Sequence, residues 1–229
     1  MMNFALLGCG RIARKHIDAI ENTSGARLVA ACDVVPDRAD GVAATTGCKP
    51  YTDFREMLRA HPEVEVVSIL TPSGHHAEHA IAVASEFGKH VLVEKPMALL
   101  LSDADAMIRA CDEAGVRLFV VKQNRFNLPV VKLREALDQG RLGQITMGTV
   151  RVRWSRSQAY YDQDEWRGTW ASDGGVFSNQ ASHHVDLLEW MLGDPVSVIA
   201  KTRTALADIE VEDTGVAIAT FASGALGVI

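Results

Sequence analysis

Glu94-Lys95-Pro96 places an acid, a base and a proline in succession, directly after the apolar run His90-Val91-Leu92-Val93. Charged residues are rarely buried without partners, so this tripeptide is either a solvated strand exit or a set of groups aimed into a site. Gly8-Cys9-Gly10-Arg11-Ile12-Ala13 is more specific. Between a strand and a helix, a G-x-G-x-x-A run suits a diphosphate. Gly8 would make the tight turn, Gly10 would let the backbone approach a pyrophosphate, and Ala13 would let the helix pack closely. The helix N-terminus, opening at Arg11 and Ile12, would then hold the diphosphate through its N–H groups and dipole. Taken alone, the motif also fits a glycine turn with no ligand.

Asp33 ends the second strand-like run, where an acid can accept hydrogen bonds from two ribose hydroxyls and repel a 2′-phosphate. This favours NAD over NADP, although Arg38 lies close in sequence and works against that preference, and a helix cap or a solvated turn acid is the plainer alternative. Thr71-Pro72-Ser73-Gly74 marks a sharp exit after Val66–Leu70, at the sheet edge where open α/β sheets bind ligands, or else a plain turn.

The elements that must position these groups alternate. Strand-like runs at 3–7, 27–33, 64–70, 90–93 and 117–121 are interleaved with amphipathic runs at 11–21, 54–60, 75–87 and 102–114. That is the pattern of a parallel sheet with helices on both faces. Asp53 and Ser102 suit helix N-caps, and Gly88 and Gly115 follow helix ends. Beyond about residue 122 the pattern changes to a helix over 129–139, a long alternating strand over 144–154, a polar aromatic-rich stretch, a helix near 181–191 and further strands. The fold class expected is α/β: a Rossmann dinucleotide-binding domain over 1–122, then an α+β domain over 123–229 with an open, largely antiparallel sheet. The run Gly224–Ile229 reads as the interior of a strand, so more chain is expected beyond it.

The composition is that of an ordinary globular protein, with 48% hydrophobic and 23% charged residues. A net charge of -6 and a pI near 5.7 argue against nucleic acid or an anionic membrane as partner, because both attract a basic face. Cys9, Cys32, Cys48 and Cys111 show no CxxC spacing, so reduced thiols in a cytoplasm are expected rather than a disulfide framework or a zinc cluster. The apolar run 4–7 is too short for a signal peptide, and nothing later approaches a membrane span.

With Gly174-Gly175 and His183-His184-Val185-Asp186 added to the glycine turn, Thr71-Pro72 and Glu94-Lys95-Pro96, the chain resembles the glucose-fructose oxidoreductase, inositol dehydrogenase and MocA family. The resemblance implies NAD(P)-dependent oxidation or reduction of a sugar or cyclitol, and dimers or tetramers assembled through the C-terminal sheet. Lys122-Gln123-Asn124-Arg125, Arg151-Val152-Arg153-Trp154-Ser155-Arg156, Tyr160-Tyr161, Trp166-Arg167-Gly168-Thr169-Trp170 and Asp173 to His184 are similar to one branch. That branch oxidises the 3-hydroxyl of a UDP-linked N-acetyl-hexosaminuronic acid for bacterial surface polysaccharide. A family dehydrogenase of a free sugar or inositol, or a non-catalytic NAD-binding regulator, are the other readings.

The resemblance also assigns roles. Lys95 would point into the cleft beside the nicotinamide, Pro96 would fix its turn, and Glu94 would contact the cofactor ribose or the neighbouring backbone. His76, Gln123, Trp166 and Arg167 match positions near the cofactor, together with Thr71 and Pro72. Lys95 and His183 would share the proton of the substrate hydroxyl: imidazole titrates near about 6.5, and burial beside a nicotinium lowers a lysine from about 10.4. Relatives often carry an aspartate where this chain has Asn179, and an amide cannot stabilise an imidazolium as a carboxylate does. Asn179 is therefore expected on a substrate hydroxyl. For a UDP group, Arg153 and Arg156 offer cations while Tyr160 and Tyr161 offer an aromatic wall, unless the segment is simply an exposed strand end and loop. Asn179, His183 and Asp186, at i, i+4 and i+7, would share a helix face; ligands for a metal are too few, and none is expected. His75 and His79 are expected in solvent, and His184 as a packing residue.

Overall fold

The computed structural model describes residues Met1–Ile229. They form two compact units, Met1–Val121 and Lys122–Ile229.

In the first unit the central apolar runs become strands buried on both faces at their carboxyl ends, as inner parallel strands must be, while the edge run around Phe119 stays partly exposed. In chain order the elements are β1 (Met2–Leu7), α1 (Ala13–Glu21), β2 (Ala26–Cys32), α2 (Pro36–Thr46), β3 (Lys49–Tyr51), α3 (Phe54–Ala60), β4 (Val66–Ile69), α4 (His76–Phe87), β5 (His90–Val93), α5 (Leu101–Glu113) and β6 (Leu118–Val120). The six strands are all parallel in the order β3-β2-β1-β4-β5-β6. The pleat sorts the core into two layers. Ala5 and Leu7 of β1 pack with Met57, Val83 and Met107 from α3, α4 and α5, while Leu6 packs with Ala13, Ile20 and Val42 from α1 and α2.

Sequence patterning does not predict α2 or β3. Helix α2 buries only Ala39 and Val42, and it carries Gly41 and two threonines near its end, so its apolar stripe is thin. Strand β3 has three residues and contains Pro50, which an edge position tolerates. Asp53 is an N-cap, its Oδ1 accepting the Glu56 N–H at 2.8 Å. Ser102 is not: α5 begins one residue earlier, Leu100 takes the cap position in extended backbone, and no side chain caps it. Gly88 and Gly115 follow helix ends with positive φ, as expected.

The second unit contains α6 (Leu128–Asp138), β7 (Met147–Thr149), the short α7 (Gln158–Tyr161), α8 (Ser182–Leu192), β8 (Pro195–Arg203), β9 (Thr214–Phe221) and β10 (Leu226–Val228). Its sheet runs β7-β10-β9-β8, antiparallel except for the β10–β7 pair. The long strand expected over 144–154 is observed only as the three residues of β7, which pair in register with Leu226, Gly227 and Val228 of β10. One sheet face packs Ala219 and Phe221 against Leu188 and Leu192 of α8. The other leaves Val198, Ile199, Val216 and Ile218 more than half exposed.

Asp53→Ala should destabilise the protein by about 1 kcal/mol, the ordinary worth of a cap, whereas Ser102→Ala should change it by less than about 0.5 kcal/mol. Urea denaturation of the two variants reads the difference; equal losses would contradict the cap assignment.

Candidate active site

Strands β1 and β4 are neighbours in space but separated in sequence, so the chain reverses its winding between them, and their carboxyl ends open a crevice. Gly8 leaves β1 at this point with φ of +102°, and a Cβ there would lie 2.7 Å from the Leu70 carbonyl carbon. Only glycine fits between the ends of β1 and β4. Over Gly10, by contrast, a Cβ would meet nothing within 4 Å, which leaves the backbone open to a close-approaching group at the start of α1. Asp33 braces the turn: one carboxylate oxygen accepts the Cys9 N–H at 2.8 Å and the other the Val35 N–H at 2.9 Å. Each oxygen keeps a second lone pair for a further donor. Burial, reinforced by Asp33, pushes the Cys9 thiol up to about 12, which favours the protonated thiol at neutral pH. The open Gly10 backbone, the helix start and the acid at the end of β2 fit the diphosphate and ribose of NAD.

The Lys95 turn lies at the end of the next strand. The Lys95–Pro96 peptide is cis. Glu94 is buried, and its two oxygens are used within the protein. Oε1 meets His16 Nε2 at 2.9 Å, and Oε2 accepts the Lys95 N–H at 3.1 Å. Burial alone would raise this carboxyl. The His16 hydrogen bond and charge, the Lys95 N–H and the Lys95 charge outweigh it and hold the pKa below the ordinary range. Of the two roles expected for Glu94, the geometry therefore favours the neighbouring backbone. His76 is 1% exposed, with Nδ1 2.8 Å from the Pro96 carbonyl and Nε2 2.9 Å from the Thr71 carbonyl. Its nitrogens face protein oxygens rather than open space, which corrects the expectation that it contacts the cofactor. Thr71 in turn hydrogen-bonds His79 Nδ1 at 3.1 Å. His79 is not solvated as expected: it packs edge-on against Phe54, and burial lowers its pKa to about 4. His75 is exposed.

In the second unit, α8 supplies His183. Gln123 Nε2 lies 3.2 Å from His183 Nε2, and an amide N–H can only donate, so that imidazole nitrogen is the acceptor. Gln123 is thus a partner of His183. Asp186 takes a bidentate pair from Arg125 at 2.8 and 2.7 Å, with the Lys122 amine 3.6 Å away. Asn179 falls before α8, in a single π-helical turn over Val176–Gln180, so it does not share one α-helical face with His183 and Asp186. It donates an amide N–H to buried Asp173, which also accepts the Gly168 N–H at 2.7 Å.

The basic aromatic segment is a stack. The Arg156 guanidinium sits 4.0 Å from the Trp154 ring centre and 4.5 Å from that of Tyr160. On Tyr160 lies also Arg167, at 4.7 Å, which reaches Trp166 at 4.5 Å. Arg167 is held by Asp164 at 2.8 Å and donates to the Tyr160 hydroxyl at 2.8 Å. Arg153 and Trp154 are exposed. Tyr161 corrects another expectation: it is 6% exposed and packs inward, because adjacent helical residues point about 100° apart and Tyr160 takes the outer face.

Sequence reasoning missed His16, Asp173 and the Arg125–Asp186 pair as parts of this arrangement. One signal was available for His16: it lies with Ala13 and Ile20 on the buried stripe of α1, where an apolar residue is the rule.

A parallel sheet in this strand order, with a glycine turn at its switch point and an acid ending β2, defines a dinucleotide-binding protein of the Rossmann class. More narrowly, the chain belongs to the GFO/IDH/MocA family: residues 2–122 match its oxidoreductase family with NAD-binding Rossmann fold, and residues 130–229 match its C-terminal domain. The WlbA dehydrogenase of Bordetella pertussis, solved with NADH and UDP-GlcNAcA, is 48% identical, with a TM-score of 0.95 over 100% of this chain and 71% of its own. The WlbA dehydrogenase of Chromobacterium violaceum, solved with the same two ligands, is 45% identical, with a TM-score of 0.95 over 99% of this chain and 66% of its own. An inositol 2-dehydrogenase of Rhizobium meliloti is 32% identical over 93% of this chain; the chain spans 62% of that relative's length. No helix is long and apolar enough to cross a membrane.

His79 gives the first unit an acid sensitivity. The unfolded chain takes up its proton near about 6.5 and the folded imidazole only near about 4. The stability tied to keeping it neutral is therefore complete above about 6.5 and is lost as the pH falls toward about 4. His79→Gln should show a smaller drop in Tm between about pH 7 and about pH 4.5 than the parent protein. Equal drops would show that this imidazole does not carry the effect.

Proposed function

We propose that the protein is an NAD-dependent dehydrogenase that oxidises the 3-hydroxyl of a UDP-linked N-acetyl-hexosaminuronic acid, within the synthesis of surface polysaccharide. The observation that carries this reading is the 48% identity, across the whole chain, to a dehydrogenase solved with NADH and UDP-GlcNAcA. The Arg156 guanidinium beside the Trp154 and Tyr160 rings supports it chemically, because guanidinium groups suit a diphosphate and aromatic rings suit a uracil. Arg153, Arg156 and Tyr160 are the residues assigned to that group.

NAD, held by Gly8, Gly10, Arg11, Ile12 and Asp33 with Thr71 and Pro72 beside it, supplies the hydride acceptor. The chain's own residues handle the proton. Lys95 and His183 are proposed as the catalytic residues, sharing the hydroxyl proton, with the Lys95 ammonium polarising the ketone oxygen that forms. Gln123 donates to His183 Nε2, so the lone pair that takes the proton is freed when the substrate hydroxyl replaces the amide. Asn179, oriented by Asp173, is assigned to a substrate hydroxyl. Trp166 and Arg167 are assigned to the cofactor side. The 32% identity to an inositol 2-dehydrogenase favours a second reading, oxidation of a free cyclitol.

The apolar outer face of the C-terminal sheet suggests that copies of the chain pair through it, as a homodimer or homotetramer. Ile199 and Ile218 stand directly opposite each other on β8 and β9, 75% and 52% exposed. Four free cysteines, three of them buried, suit the reducing cytoplasm as the compartment; recovery of the protein from an exported fraction would count against that.

Calorimetric titration in the presence of NADH should show binding of UDP and the UDP-sugar but not of inositol. Silence with every UDP ligand would remove the nucleotide reading. In the same protein Lys95→Ala should abolish turnover while NADH still binds, and an active variant would refute its role. Placing aspartate at both 199 and 218 should reduce the particle mass by light scattering to that of a smaller assembly. An unchanged mass would place the interface elsewhere.

A further inference from the structure

Helices α1 and α4 lie in opposite layers of the first unit, α1 packing in the cluster of Leu6 and Ile20 and α4 in that of Met57 and Val83. Each carries a histidine on its buried stripe: His16 between Ala13 and Ile20 on α1, and His76 ahead of Ala80 and Val83 on α4. In a βα unit the helix starts beside the carboxyl edge of the sheet, so both imidazoles sit at the level of the strand exits. His16 Nε2 holds the Glu94 carboxylate at 2.9 Å, and Glu94 also accepts the Lys95 N–H at 3.1 Å. His76 Nδ1 holds the Pro96 carbonyl at 2.8 Å. Residue 95 is thus bracketed on both chain sides by groups that the two layers grip.

We propose that His16 and His76 are positioning residues for Lys95, one gripping residue 94 and the other residue 96, so that the amine is aimed by both helical layers at once. An imidazole suits the task. It is rigid, it is held in place by its own helix's packing, and a single N–H suffices for each grip. In His76 the nitrogen beside residue 96 is Nδ1, 2.8 Å from the Pro96 carbonyl, and we place the ring's single N–H there rather than at Nε2, which lies 2.9 Å from the Thr71 carbonyl. Packing alone would explain a buried histidine without requiring a hydrogen bond from one particular nitrogen. The inference rests on Lys95 acting as proposed above.

The two amide side chains separate the alternatives. Glutamine carries its amide nitrogen about where a histidine has Nε2, and asparagine about where it has Nδ1. In the full-length protein, His16→Leu and His76→Leu should each lower kcat at least about tenfold, with the NADH dissociation constant changed less than about threefold. The rate at which Lys95 is acylated by an N-hydroxysuccinimide ester, read by mass spectrometry, should rise at least about threefold as the turn loosens. His16→Gln and His76→Asn should bring both readings back to within about threefold of the parent, while His16→Asn and His76→Gln should not. Equal behaviour of the two amides at either position, or unchanged Lys95 acylation in the leucine variants, would overturn the proposal. If a leucine variant does not fold, the amide pair at that position decides. Acylation and NADH binding need no sugar, so a failure to oxidise any UDP-sugar would remove the substrate reading and leave this inference to be judged by those two measurements.

Discussion

A carboxylate taken out of water must be almost fully satisfied by the protein, and the cost of leaving it unsatisfied makes its surroundings stiff. The buried acids of this chain are Asp33, Glu94, Asp173 and Asp186, two in each unit, and each one holds a turn or an irregular segment within its own unit. Asp33 grips the glycine turn, Glu94 the Lys95 turn, Asp173 the Asn179 turn, and Asp186 the start of the second unit's first segment through Arg125. None of them is spent on the middle of a core layer. The charges were placed where backbone had to be held in an irregular path.

The parallel sheet explains why so many such groups are needed in the first unit. Parallel winding gathers the exits of β1, β2, β4 and β5 along one edge, and each exit is a piece of non-helical, non-ladder backbone. Leu7 and Leu70, Cys32 and Gly8, and Ile69 and Glu94 close backbone bonds from one exit to the next. Side chains finish the job where the ladder stops: Asp33 ties the β2 exit to the β1 exit and His76 the β4 exit to the β5 exit, while Glu94 and Thr71 are tied to helices α1 and α4 through His16 and His79. The second unit reaches a comparable result by different means, with a guanidinium–aromatic stack and a π turn instead of strand exits. Each stacked pair contributes on the order of 0.5–1 kcal/mol, so the stack's main effect is to hold planar groups in register.

Much of this was legible in the residues. The period of the apolar runs was enough for the parallel sheet, and the glycine turn, Asp33 and the Glu94-Lys95-Pro96 exit were recognisable from type and spacing. Helix α2 and strand β3 were not, because a thin stripe and a proline-bearing edge leave little periodicity. The strand expected over 144–154 is longer than β7, of which Met147, Gly148 and Thr149 pair with β10. Ser102 has the chemistry of a cap, but the helix begins before it.

By itself the sequence determined the class of fold and the dinucleotide turn, because those depend on local periodicity and on side-chain chemistry. Only the tertiary structure decided what the candidate site residues touch. His76 faces two carbonyls, Glu94 faces His16, Gln123 faces His183 and Tyr161 faces the interior. The partners are separated by 20 residues for His76 and Pro96, 78 for His16 and Glu94, and 60 for Gln123 and His183. No local pattern links residues so far apart; the packing of helices against the sheet and the second unit's own fold bring them within hydrogen-bond reach.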